Sequence, residues 1–225
     1  MNATLPLFED EAFDEPATEV LGDGALLLRG IARERAPMLL HELDGVLARA
    51  PWRHLVTPGG QTMSVAMSNA GPLGWVSDRR GYRYEALDPL SGEPWAPMPP
   101  GFLALALEAA AAAGYPRFRP DACLINRYAP GARLSLHQDR DELDFSQPIV
   151  SISLGLPAVF LFGGLQRSDK PRRLALRHGD VAVWGGPTRL AFHGVAPVKA
   201  GHHPLTGDCR INLTFRCVRA KDLSA

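Results

Sequence analysis

The sequence lacks any run approaching the roughly 18 to 20 consecutive apolar residues that a membrane-crossing helix needs. Its opening, MNATLPLFEDEAFDEP, has no basic segment followed by an apolar one, so no secretory signal is expected and the chain reads as cytoplasmic. Cysteine is scarce: Cys123, Cys209 and Cys217 are odd in number and show no CxxC spacing, which excludes a disulfide framework and argues against a zinc site. They read as reduced thiols in or near a core. Positive charge is missing from residues 1–24, which hold seven acids and no Lys or Arg. Internal repeats and low-complexity arrays are absent beyond one alanine-rich stretch.

What remains is the composition of one globular domain: 225 residues, 46% hydrophobic and 21% charged. The 22 glycines and 20 prolines favour many turns over long helices. Net charge is zero, but beyond the acidic leader 24 basic residues face 17 acidic ones, a balance compatible with a nucleic-acid partner without requiring one. Residues 1–20 are expected to form an acidic, flexible segment and 21–225 a single domain.

Residues 24–29 read as a first strand, Glu34–Ala48 as a helix with apolar residues at helical spacing, and Phe102–Ala113 as an alanine-rich helix capped by Gly114. Between them, about residues 52–100, the text is rich in Pro, Gly, aromatics and arginine, with short strand-like pieces at Thr62–Met67 and Tyr82–Tyr84. From Asp121 onward strand follows strand: Ala122–Tyr128, Leu134–His137, Ile149–Leu156, Ala158–Phe162, Arg173–Arg177, Asp180–Trp184, Leu190–Gly194 and Arg210–Arg216. Short strands at this spacing predict a mainly β (α+β) sandwich or barrel, with the earlier helices packed on one outer face.

His137 and Asp139 stand two residues apart in LSLHQD, on one face if the backbone is extended. Two histidines and a carboxylate, leaving coordination positions open, suit non-haem iron(II). The third ligand must come from downstream; His193, in AFHG and 54 positions after Asp139, is favoured. His178 is a rival placed at a turn, and His202-His203 reads as solvated. In RINLTFR, Arg210, Asn212, Thr214 and Arg216 alternate with Ile211, Leu213 and Phe215. Were the polar face turned into a cavity, its arginines would need an anion, and a dicarboxylate pairs naturally with guanidinium. The alternative is an edge strand with its arginines in water. Asn126 and Tyr128 share a face and could add neutral hydrogen bonds.

The motifs VTPGG and MSVAMSN (56–69), LGW (73–75), GYRY (81–84), LINRYAPGARLSLHQDRDE (124–142), HGDVAVWGG (178–186) and CRINLTFR (209–216) together resemble the AlkB family, in particular its bacterial type. The resemblance covers nearly everything after residue 20. It implies a double-stranded β-helix (jelly roll) core over about 120–218 with N-terminal helices, and a nucleotide-recognition lid over about 50–95. It implies an Fe(II)/2-oxoglutarate-dependent dioxygenase using O2, with iron on His137, Asp139 and His193. 2-Oxoglutarate would be held by Asn126, Tyr128, Arg210, Asn212 and Arg216. Substrate would meet Trp75, Tyr82, Asp141, Arg167 and Met67, with Asp141 also counted among the catalytic residues and Leu124, Ser151 and Leu134 lining the cavity. Arg79, Arg80, Arg83, Arg133, Arg140, Arg172 and Arg173 are further candidates for phosphate contact. The implied reaction is oxidative demethylation of 1-methyladenine and 3-methylcytosine in DNA, preferentially single-stranded, with RNA an alternative, by a monomer without a membrane partner. An oxygenase acting on tRNA, protein or a small molecule, or a metal-binding jelly roll without turnover, are the competing readings. Gln61 departs from the pattern, standing where the family's bacterial type has an aromatic lid residue.

Overall fold

The computed structural model describes residues 17–219. Among the described residues are fourteen strands and two α-helices. Thr18–Gly22 (β1) and Ala25–Leu28 (β2) form a hairpin, followed by the helix Ala36–Arg49 (α1). Arg53–Val56 (β3), Thr62–Ala70 (β4), Gly74–Asp78 (β5) and Gly81–Glu85 (β6) precede the second helix, Pro100–Ala112 (α2). The remainder is β: Ala122–Tyr128 (β7), Leu134–His137 (β8), Ile149–Gly155 (β9), Ala158–Phe162 (β10), Arg172–Leu176 (β11), Val181–Trp184 (β12), His193–Val195 (β13) and Arg210–Arg216 (β14).

An eight-stranded sheet in the order β1-β2-β12-β9-β14-β7-β4-β3 faces a four-stranded sheet in the order β11-β10-β13-β8. β5 and β6 pair separately as a hairpin. The two main sheets enclose one apolar layer that includes Leu27, Met67, Phe160, Phe162 and Trp184. A second layer forms where α1 and α2 cover the outer face of the large sheet, with Leu39, Phe102 and Leu105 against Ile125, Ile152, Leu213 and Phe215. The antiparallel, two-sheet arrangement is the expected jelly roll, with both helices on one side. No helix among the described residues is long and apolar enough to cross a membrane.

The alternation along β14 is used on both sides. Ile211, Leu213 and Phe215 join the helix-covered layer, while Arg210, Asn212, Thr214 and Arg216 line a cavity between the sheets. All three cysteines are buried, and none of them is joined in a disulfide. Two expectations change. Thr18–Gly22 is a strand where the acidic leader was expected to continue to residue 20: Leu21 is buried, and Glu19 binds Arg29 at 2.8 Å. The rest of that leader, 1–16, lies outside the described residues. The strand bearing His193 begins at His193 itself, not at Leu190, because a single 3-10 turn at Gly186–Thr188 and the bend after it occupy that chain.

Candidate metal centre and its cavity

His137 closes β8 and His193 opens β13; the two are register partners on adjacent strands. Gly194 permits this pairing. A Cβ there would lie 2.6 Å from the Leu134 carbonyl oxygen, so a larger residue would push β13 away from β8. Asp139 follows just past the end of β8. One donor atom from each of His137, Asp139 and His193 lies within 4.8 Å of the others, a group that could hold a metal ion. His137 Nε2 is 3.6 Å from Asp139 Oδ1, and His193 Nε2 is 3.8 Å from Oδ2.

Each imidazole is oriented by a local carbonyl. The Nδ1 of His137 lies 2.9 Å from the Ser135 oxygen, and that of His193 lies 3.0 Å from the Ala191 oxygen. With Nδ1–H donating to those carbonyls, each Nε2 carries a lone pair facing the gap, the tautomer a metal ligand requires. Burial, reinforced by nearby His137, lowers the His193 pKa to about 3, so the ring is neutral at ordinary pH. Burial alone would raise the Asp139 carboxyl; Arg216 foremost among its neighbours outweighs this and holds it below the usual carboxylate range. A deprotonated Asp139 carboxylate and a neutral His193 imidazole are therefore in place.

The cavity around them has a volume of about 610 Å³. Arg210 is wholly buried in its wall, with its guanidinium 5.0 Å over the Tyr128 ring and Nη2 donating to Ser153 Oγ at 3.0 Å. Its Nε and Nη1 have no protein partner, and neither do Asn126 Oδ1 and Arg216 Nη1. Desolvation depresses the Arg210 pKa, and no carboxylate opposes it. Buried guanidinium donors left open toward a cavity fit a bound anion, and two of them beside a N,N,O metal site fit a chelating dicarboxylate such as 2-oxoglutarate. Asn212 points into the same cavity but spends its amide on Ser151 Oγ and the Ile152 carbonyl.

The β5–β6 hairpin stands at the cavity mouth. Trp75 and Tyr82 stack at 5.4 Å and 15°, and Trp75 Nε1 donates to Asp141 Oδ2 at 2.9 Å. Met67, Leu124, Leu134, Ser151, Arg133, Arg167 and Gln61 also line the cavity, and Arg167 donates to the Leu136 carbonyl at 3.0 Å. Every residue singled out for metal, 2-oxoglutarate or base contact thus borders one space, whereas of the further phosphate candidates only Arg133 does. Among the proposed phosphate contacts, Arg80 and Arg83 pair with Asp78, and Arg172 with the Leu21 carbonyl and Glu19. His178 lies away from the cavity, its ring 4.3 Å from that of His203, which is itself partly buried where solvation was expected.

Sequence reasoning missed Tyr84, Glu142 and Arg189. Arg189 is buried and donates to the Gln147 carbonyl, the Asp139 carbonyl and Glu142 Oε2 at 3.0, 3.0 and 3.1 Å. Glu142 was visible as an acid beside HQD, but nothing in GGPTRL marked Arg189 as its partner.

The 2OG-Fe(II) oxygenase superfamily model matches residues 24–216. The chain is 57% identical over 218 residues to "Alpha-ketoglutarate-dependent dioxygenase AlkB" of Escherichia coli (strain K12), covering 97% of this chain and 100% of that one. It is 49% identical to an AlkB homologue of Caulobacter vibrioides, over 79% of this chain and 80% of that one. "Nucleic acid dioxygenase ALKBH1" of Homo sapiens is 36% identical over 56% of this chain and 32% of its own. Among solved structures, "The structure of OsALKBH1" superposes with a TM-score of 0.78 at 29% identity, covering 89% of this chain and 99% of that one. With the fold, the His/Asp/His group and the open guanidinium donors, these likenesses place the chain in the AlkB family of iron(II)- and 2-oxoglutarate-dependent dioxygenases.

Proposed function

We propose that this enzyme oxidatively demethylates N-alkylated nucleic acid bases, 1-methyladenine and 3-methylcytosine in DNA foremost. The observation that carries the reading is Asp141: a carboxylate at the cavity mouth, two residues from Asp139, facing the aromatic hairpin. Both bases are cationic when methylated on the Watson–Crick edge, so an anion beside an aromatic face suits them. That damage also weakens pairing, which lowers the cost of turning the base out of a stack, and the cost is smallest in a single strand. The relatives named for AlkB and for nucleic acid dioxygenase activity support the same substrate class.

In this reading His137, Asp139 and His193 hold iron(II), and Arg210, Arg216, Asn126, Tyr128 and Asn212 hold 2-oxoglutarate. Bound there, the metal supplies oxygen activation coupled to decarboxylation of 2-oxoglutarate, yielding succinate and carbon dioxide and placing one oxygen atom in a substrate C–H bond. The hydroxymethylated base nitrogen then loses formaldehyde, and the ring nitrogen is restored. Arg210 neutralises the distal carboxylate, and Trp75 stacks the base over His137. Asp141 accepts from the exocyclic amine, taking over the bond that Trp75 makes in the free chain. Tyr82 and Arg167 flank the strand entering the site, while Met67 closes the wall behind it. Residues of about 50–95 act as the lid and about 120–218 as the catalytic core. Every residue assigned to the site belongs to one chain, in keeping with a monomer.

A panel of oligonucleotides carrying each methylated base, as single-stranded DNA, duplex DNA and RNA, followed by mass, tests the proposal. Fastest demethylation of 1-methyladenine and 3-methylcytosine in single-stranded DNA is expected. No turnover on any of them with iron(II) and 2-oxoglutarate supplied would refute it.

A further inference from the structure

Trp75 and Tyr84 are cross-strand partners on the lid hairpin, so their side chains leave the same face. They grip two consecutive acids of the loop that carries Asp139. Trp75 Nε1 donates to Asp141 Oδ2 at 2.9 Å, and Tyr84 Oη donates to Glu142 Oε1 at 2.7 Å. The two grips differ in character. The Trp75–Asp141 bond is exposed and belongs to the substrate-facing rim, whereas Glu142 is buried.

Glu142 leads directly to the metal centre. Its Oε2 receives Arg189 Nη2 at 3.1 Å, and its Oε1 lies 3.5 Å from Arg216 Nε. Arg189 holds the Asp139 carbonyl at 3.0 Å, and Arg216 holds Asp139 Oδ2 from both Nε and Nη2 at 2.8 Å. With Oδ2 occupied by a guanidinium, Oδ1 is the oxygen left to a metal. Burial raises the Tyr84 hydroxyl well above its ordinary range, so it stays protonated and donating.

We propose that Tyr84 and Glu142 are positioning residues that clasp the lid hairpin to the metal-ligand loop, making lid placement and the setting of Asp139 one mechanical unit. The outer bond opens when a base takes Asp141, while the inner bond holds the hairpin in register with Arg216 and Asp139. Reciprocity follows: a metal that fixes Asp139 must also quiet the hairpin, before any substrate arrives. The inference rests on the metal assignment above, and its test does not require turnover.

The experiment is hydrogen exchange of the hairpin segment 74–85 with and without Co(II) plus 2-oxoglutarate, in the wild type and in Tyr84→Phe, with Co(II) affinity read from its visible absorption. In the wild type the ligands should slow exchange of the hairpin at least fivefold. Tyr84→Phe should still bind Co(II), weakened by less than tenfold as the lost coupling requires, which also shows it folded, yet lose that protection. Trp75→Phe, which breaks only the outer bond, should keep at least half of it. The proposal is overturned if Tyr84→Phe retains full protection, if wild-type exchange ignores the metal, or if Tyr84→Phe weakens Co(II) binding tenfold or more, since the tyrosine would then merely support the site. A wild type showing no Co(II) absorption would overturn the metal assignment itself, an outcome distinct from all of these.

Discussion

Arg210 is the residue whose environment most constrains the chemistry. A guanidinium that is wholly buried, stacked on Tyr128 and left with two open donors costs stability in the free protein and recovers it when an anion enters. Arg210→Met should therefore separate stability from function. Removing the cation should weaken 2-oxoglutarate binding by about 2–5 kcal/mol, a loss of roughly thirtyfold or more. The melting temperature of the ligand-free protein should stay level or rise, because an uncompensated buried charge has gone. Titration of 2-oxoglutarate into the Co(II)-loaded variant, alongside thermal melts without ligand, reads both quantities. At this scale the sequence was informative where alternation applied: RINLTFR disclosed which of its side chains share a face. It was silent on Arg189 and Glu142, 47 positions apart, because a buried ion pair leaves no periodic trace in either segment.

Among the elements, the juxtaposition of β8 and β13 makes the metal group. Both strands are short, and their register sets His137 opposite His193. Gly194→Ala should push a methyl against the Leu134 carbonyl, a strain of about 1–3 kcal/mol, and move His193 relative to its partners. Metal affinity should fall by about tenfold, measured by Co(II) titration, while the far-UV spectrum stays that of the wild type. β7, β8, β10 and β14 were legible with their full bounds, since turn residues bracket runs that alternate or stay apolar. β3 and β5 were not: RHLV and GWVSD are short, mixed in polarity and dependent on pairing partners for their conformation. The β1 strand hid within an acidic stretch for the same reason, its Glu19 being matched by Arg29 and Arg172 only once the sheet is built.

On the scale of the whole molecule, the fold holds one buried and one half-buried imidazole whose protonation opposes folding. Burial, with help from His203 and Arg33, lowers the His178 pKa to about 4, and that of His193 falls to about 3, against an ordinary 6.5. In the unfolded chain both bind a proton below about 6.5, while in the folded chain they resist it. The metal-free protein should thus lose stability as pH falls from about 6.5 through 4. His178 accepts a hydrogen bond from the Gly155 N–H at Nδ1, so His178→Asn, which keeps an acceptor and removes the titration, should flatten that decline. Chemical denaturation of metal-free protein at several pH values reads the slope. A decline equally steep in the variant would assign it to other groups.

The central claim is that the His137/Asp139/His193 group and the Arg210–Arg216 wall convert 2-oxoglutarate oxidation into removal of a methyl group from a base. Its most direct test is stoichiometry: succinate, formaldehyde and demethylated base counted together in one reaction of the iron-loaded enzyme with a single-stranded oligonucleotide bearing 1-methyladenine. Equal yields of all three, abolished in His137→Ala, are the expected result. Succinate formed without formaldehyde or loss of the methyl group would contradict the account.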